Sequence, residues 1–133
     1  MLKELSKTER LDQLHKKMIE EIQDYAVILL DETGTVLTWN KGAEAIKGYS
    51  EKEIVGQNFS IFYLPEDRQN GVPEKILETA RNEGRARYTG KRVRKDGTIF
   101  WGSMVLTAIH DDWNQVIGFT KLTHEIDHKA SLQ

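Results

Sequence analysis

The chain has 133 residues, 38% hydrophobic and 30% charged, with a formal net charge of −2 and no cysteine. That length suits one domain burying roughly two-thirds of its unfolded surface. The missing cysteine excludes a disulfide scaffold, a thiolate metal site, a cysteine nucleophile and a cysteinyl photoadduct, and the net charge gives no global attraction to nucleic acid or acidic membranes.

From Leu2 to Asp24 there is no glycine or proline, and Leu11, Leu14, Met18, Ile22 and Tyr25 recur at spacings of three and four. They form one narrow stripe of a helix that must dock on this domain or on a second copy. The apolar run Ala26–Leu30 follows, far short of the about 20 residues of a membrane span. The charged first residues do not read as a secretory signal. A single mixed cytoplasmic domain with no membrane insertion is the expectation. After the run, Asp31-Glu32-Thr33-Gly34 is a turn signal leading to Thr35–Trp39, which predicts a two-stranded hairpin. Asn40 caps a short helix stopped by Gly48, and Ser50 with Glu53 forms a capping box for a second, ended by Gly56. Gln57–Tyr63 has no clear period. Pro73 suits a first helical turn, and Ile76, Leu77 and Ala80 give a stripe ending near Gly84.

Three extended segments close the chain: Arg85–Arg94, Thr98–His110 and Gln115–Thr123, the first two joined at Asp96-Gly97, a strong hairpin signal. Along Ile99–Ile109 both alternate sets are largely apolar, Phe100, Gly102, Met104, Leu106 and Ala108 against Ile99, Trp101, Val105 and Ile109. A half-exposed strand would alternate with polar residues, so this sheet is expected to be covered on both faces. The short helices supply one cover, and the N-terminal helix, alone or with a partner subunit, the other.

The string Asp31…Gly34-Thr35-Val36-Leu37-Thr38-Trp39-Asn40-Lys41-Gly42-Ala43-Glu44…Gly48-Tyr49-Ser50…Glu53-Ile54-Val55-Gly56 resembles the first half of a PAS domain. Pro65-Glu66-Asp67, Arg92-Val93-Arg94-Lys95-Asp96-Gly97-Thr98…Phe100-Trp101 and Ile117-Gly118-Phe119 match the second half in order and spacing. The resemblance covers about residues 20 to 127. It implies an α+β fold, a five-stranded antiparallel sheet wrapped by short helices around a small pocket, with the amphipathic helix added. The division expected is residues 1–24 as a capping or dimerisation helix, 25–124 as the PAS core and 125–133 as the start of an output linker. Members of this family are chiefly sensory and interaction modules of histidine kinases, diguanylate cyclases and similar signalling proteins.

By this resemblance the pocket is lined by Ile28 and Leu30, by Phe59, Phe62, Ile76 and Ala80, and by Gly102, Met104, Leu106, Gly118 and Thr120. An ordinary packed core explains Phe, Ile and Met at these places better than a ligand site does. A bound apolar ligand also needs fixed polar groups, for which Thr120, helped by Tyr63, is the candidate. Flavin photoreceptors of the light-oxygen-voltage type carry Gly-x-Asn-Cys-Arg where this chain has Gly56-Gln57-Asn58-Phe59-Ser60, so their FMN photochemistry is not expected. The helix over about 73–83 has no histidine to ligate haem. Non-covalent FAD, as in a redox or light sensor, stays open. His124, Asp127 and His128 read as polar linker and Asp111-Asp112 as turn rather than as metal ligands. The expected pocket set contains no Asp, Glu, His or Lys, which argues against an enzyme. The basic stretch Arg81, Arg85, Arg87, Lys91, Arg92, Arg94 and Lys95 reads as a solvated sheet edge rather than a nucleic-acid site.

Glu125-Ile126-Asp127 stands where kinase-linked PAS domains carry an Asp-Ile-Thr-like motif that opens the output helix, and Asp127 can cap such a helix. No output domain follows before Gln133, so an excised sensor segment or a stand-alone sensor is expected. The working expectation is a homodimer in which Leu11, Leu14, Met18 and Ile22 meet a second copy and cover Trp101, Val105 and Phe119. A small ligand or a partner would bias it toward a separate or C-terminal output such as a histidine kinase. A dimerisation module without ligand is the alternative.

Overall fold

A computed structural model describes residues 4–127. The elements are α1 (Lys7–Glu21), β1 (Ala26–Leu30), α2 (Lys41–Lys47), α3 (Glu51–Ile54), a single 3-10 turn (Phe59–Phe62), α4 (Pro65–Gln69), α5 (Val72–Glu83), β2 (Arg85–Val93), β3 (Ile99–His110) and β4 (Val116–Ile126). The strands form one antiparallel sheet in the order β1-β4-β3-β2. The local signals are met where expected. Asn40 and Ser50 accept backbone N–H groups at two helix starts, the latter within a complete capping box, and Ser6, not singled out in the sequence, caps α1 in the same way. Gly48 and Gly84 close α2 and α5 in the left-handed region, which glycine enters without steric cost.

The sheet has four strands, not five. In the expected second strand, Val36 N–H donates to the Gln57 carbonyl (2.9 Å) and Leu37 N–H to the Leu29 carbonyl (2.8 Å). The Leu29 N–H is taken by the Thr38 hydroxyl (3.1 Å). With its bonds divided between a loop and a side chain, 35–39 is reduced to single bridges.

The core lies on one face of the sheet, where Ala26, Ile28 and Leu30 of β1, Met104, Leu106 and Ala108 of β3 and Phe119 of β4 meet Ala43, Ile54, Phe59, Phe62, Tyr63, Ile76 and Ala80. Each large apolar side chain so buried contributes about 1.5–3 kcal/mol. In β4 the facing assignment is reversed from the expectation. Phe119, Lys121 and Thr123 are fully buried, whereas Thr120 is half-buried and Leu122 exposed. The register shifts between Ile109 and His110 where β3 meets β4, and Phe119 then pairs with Ala108 on the inner face. A one-residue change of this kind exchanges the two faces of a strand.

The N-terminal helix does not cover the sheet within its own chain. No residue of α1 is buried, and Leu11, Leu14 and Met18 are 53–60% exposed. Its end packs against α2 through Gly42, whose N–H donates to the Ile22 carbonyl (3.0 Å). A Cβ at Gly42 would sit 1.9 Å from the Tyr25 carbonyl oxygen, so only glycine permits this approach.

Candidate functional site

Three cations occupy the interior. Lys47, at the last turn of α2, lies four residues after Ala43 on that helix's buried face. Arg92 comes from the inner side of β2 and Lys121 from that of β4, and all three are fully buried. The Lys47 Nζ stands 4.2 Å from the centre of the Phe62 ring and the Lys121 Nζ 5.2 Å from it, so one aromatic face holds both ammonium groups together. The Arg92 guanidinium carbon lies 4.5 Å from the Tyr63 ring centre and 4.7 Å from that of Tyr88. Lys121 Nζ donates to Thr123 Oγ1 (2.9 Å), and Arg92 Nη1 to the Lys91 carbonyl (3.3 Å). Lys47 Nζ, Arg92 Nε and Nη2, and the Tyr63 hydroxyl are buried with no hydrogen-bond partner.

Among the described residues every fully buried charged side chain is cationic. Burial pulls the Lys47 ammonium down to about 7, with Arg92 adding repulsion. Burial likewise holds Lys121 well below the ordinary lysine value, followed by Lys47 and Arg92, and pushes the Tyr63 hydroxyl up to about 12. Cation–π contacts return roughly 0.5–2 kcal/mol each. A buried ion costs several kcal/mol even after relaxation, so the rings do not offset three of them. The arrangement can therefore bind negative charge, but it offers no carboxylate or imidazole for proton transfer with a substrate.

Both ends of the described chain are tied to α2. At its start, Asn40 Oδ1 accepts from Val27 N (3.0 Å) and Ala43 N (2.9 Å), while its Nδ2 donates to the carbonyls of Ile19 (3.2 Å), Ile22 (3.0 Å) and Tyr25 (3.1 Å). At its other end, Arg94 Nη1 donates to the Ile46 carbonyl (2.7 Å) and to Glu125 Oε1 (3.0 Å), and the guanidinium lies over Phe100 (4.4 Å). α2 thus touches the end of α1 and supplies one of the buried cations, and Arg94 links its last turn to the end of β4.

The structure brings Ile28, Leu30, Phe59, Phe62, Ile76, Ala80, Met104 and Leu106 into the core, with Gly102 buried beside them on β3. Gly118 lies against β1, where a Cβ would meet the Leu30 carbonyl oxygen at 2.7 Å. Thr120 faces the other side of the sheet, on a groove of about 340 Å³ bounded by Lys16, Ile19, Val27, Leu29 and Leu37. Phe119, assigned to the cap interface, is in the core instead, since the register shift turns it inward. Trp101 and Val105 are half-buried on the outer face of β3. Glu125, Ile126 and Asp127 end the described chain, with Ile126 opposite Trp101. His128 and the rest of the tail lie outside the described residues.

The expectation of a pocket without ionisable groups is overturned by Lys47 and Lys121, and the reading of Arg92 as solvated edge by its complete burial. Arg85, Arg87 and Lys91 do lie exposed on the edge strand β2. A signal for the two lysines existed in the sequence. Lys47 falls on the Ala43 stripe and Lys121 on the Phe119 set, but solvation is the default for lysine and masked both.

The model of the PAS fold family matches residues 13–126. Two-component system protein A of Emericella nidulans is 40% identical over 123 residues, covering 92% of this chain and 18% of that protein. The signal transduction histidine-protein kinase AtoS of Escherichia coli is 29% identical over 128 residues, 90% of this chain and 19% of the kinase. The chain thus spans under a fifth of the length of these two relatives. Among solved structures, the PAS domain of a protein from Colwellia psychrerythraea superposes with a TM-score of 0.79 over 87% of this chain and 97% of its own, at 23% identity, a likeness of fold. With its family model matched from Gln13 to Ile126 and its sheet and helices in the corresponding arrangement, the chain belongs to the PAS family of sensory domains.

Proposed function

We propose that this domain senses a small ligand in its interior and relays occupancy through α1 and the Glu125–Asp127 end of β4 to a histidine-kinase or similar output. The observation that carries this reading is the placement of α2, bonded at Asn40 to the end of α1 and contributing Lys47 to the buried cluster. A ligand that reorganises Lys47 acts on a helix bonded to the end of α1 and, through Arg94, to the end of β4, and binding biases two arrangements without a chemical step. The names of the relatives, a two-component protein and a histidine kinase, agree with an output of that class.

The second part of the reading is that α1 pairs with α1 of a second copy, extending over Trp101 and Val105. Leu11, Leu14 and Met18 repeat at the three-four spacing of a coiled-coil seam. The last turn of α1 has no basic residue and carries Glu20 and Glu21, which opposes the helix dipole. A 15-residue helix with that ending is marginal alone. Sedimentation of the full chain is expected to give a dimer, and the double variant Leu14→Glu/Met18→Glu a folded monomer. An unchanged dimer in the variant overturns the pairing.

A further inference from the structure

We infer that the buried cluster Lys47–Arg92–Lys121 is a binding site for a compact oxyanion of two negative charges, a dicarboxylate or a phosphate. The inference rests on the sensory reading above and names the chemical class of its ligand.

Three observations lead there. The cluster holds three cationic side chains with no buried acid beside them, and three of its donor atoms and the neighbouring Tyr63 hydroxyl have no hydrogen-bond partner. Buried polar atoms are ordinarily satisfied, and an anion is the partner that satisfies ammonium, guanidinium and phenol donors together. Deprotonating the lysines does not remove the conflict, because arginine keeps its charge in proteins and Arg92 has both Nε and Nη2 open. Two glycines also lie beside it, with the Tyr88 ring closing over Gly90. Gly90 and Gly102 face each other across β2 and β3, and a Cβ at Gly102 would come within 3.3 Å of Arg92 Cγ and 3.5 Å of Thr123 Cγ2. The arginine and the threonine that orients Lys121 thus both close on bare backbone at Gly102.

Three cationic side chains in one interior call for more than a single negative charge. Burial lowers the pKa of both the Lys47 and the Lys121 ammonium, while Arg92 keeps its charge. A dianion restores the protons of the lysines, so binding takes up protons from solvent. The aromatic rings of Phe62, Tyr63 and Tyr88 keep the site poor in water, which strengthens each charge-assisted bond.

The full chain is titrated calorimetrically with succinate and with inorganic phosphate, with chloride at matched ionic strength as control, in two buffers of different ionisation enthalpy. Saturable binding of one probe, with net proton uptake, is expected, and the tighter probe identifies the dicarboxylate or the phosphate source. Lys121→Met and Lys47→Met should each weaken it at least roughly tenfold, the loss of one bond to a charged group. Both variants replace a buried charge by an apolar chain of similar length and are expected to fold; the wild-type titration is decisive by itself if one does not. No binding beyond chloride overturns the site. So does a flavin mass in the native mass spectrum of yellow protein as purified, although that result leaves the sensory reading standing. Anion binding that leaves amide exchange in α1 and at 124–127 unchanged supports the site and overturns the relay.

Discussion

At Lys47 burial takes the ammonium from an ordinary value near 10.5 down to about 7, Arg92 and Arg94 add repulsion, and Lys121 opposes them. Between those two values the unfolded chain binds this proton and the folded chain does not. Stability therefore rises as pH climbs from about 7 toward 10.5, and the penalty is complete below 7. Lys121, lowered in the same direction by burial, adds to the ramp. Tyr63 limits it from above, because a phenol raised from 10 to about 12 loses its contribution through that range. In anion-free buffer, Lys47→Met is expected to raise stability at pH 7 by about 1–4 kcal/mol and to flatten the climb between pH 7 and 10. Urea melts across that range check it, and a variant as steep as wild type with no gain refutes the buried charge.

At the scale of elements, Asn40 makes most of the bonds that attach α1, beside Gly42 N–H on the Ile22 carbonyl and Lys41 on Glu21. Asn40 makes five hydrogen bonds, two as the cap of α2 and support of β1, three to the carbonyls that end α1 and lead into β1. Loss of a helix cap costs about 1 kcal/mol, and the bonds lost at the carbonyls of Ile19, Ile22 and Tyr25 add to that where they are shielded from water. Asn40→Ala is expected to lower stability by roughly 2–3 kcal/mol and to speed amide exchange across 7–22 more than across β3. Equal acceleration everywhere would mean that Asn40 supports the fold without specifically holding α1. The helix ends were legible in the sequence because caps and glycines act within a few residues. Asn40 was legible as a cap, but not as a tie to α1, since its three acceptor carbonyls lie 15 to 21 residues away.

For the molecule as a whole, the outer face of the sheet is apolar and only partly covered among the described residues. Trp101, Val105, Thr107 and Ile109 are half-buried there, with Ile117 and Leu122 exposed. A second copy that covers this face accounts for its apolar character on a chain with 30% charged residues. Val105→Lys is expected to weaken the dimer in sedimentation while leaving the far-ultraviolet circular dichroism intact. A dimer of undiminished affinity places the contact elsewhere on the molecule.

The sequence by itself determined the order of helices and strands, the caps and turns and the PAS fold, because periodicity, capping and hairpin signals are local and several motifs stand in register. It also placed most of the inner residues of β1 and β3, where alternation runs unbroken. Only the tertiary structure decided which face of β4 points inward, since a shift at Ile109/His110 exchanges the two sets. It decided as well that Thr35–Trp39 divides its hydrogen bonds between a loop and β1, and that Lys47, Arg92 and Lys121 meet. Those three residues come from a helix and two non-adjacent strands, so no spacing along the chain encodes their contact. Burial converts three ordinary surface residue types into one anion-seeking cluster.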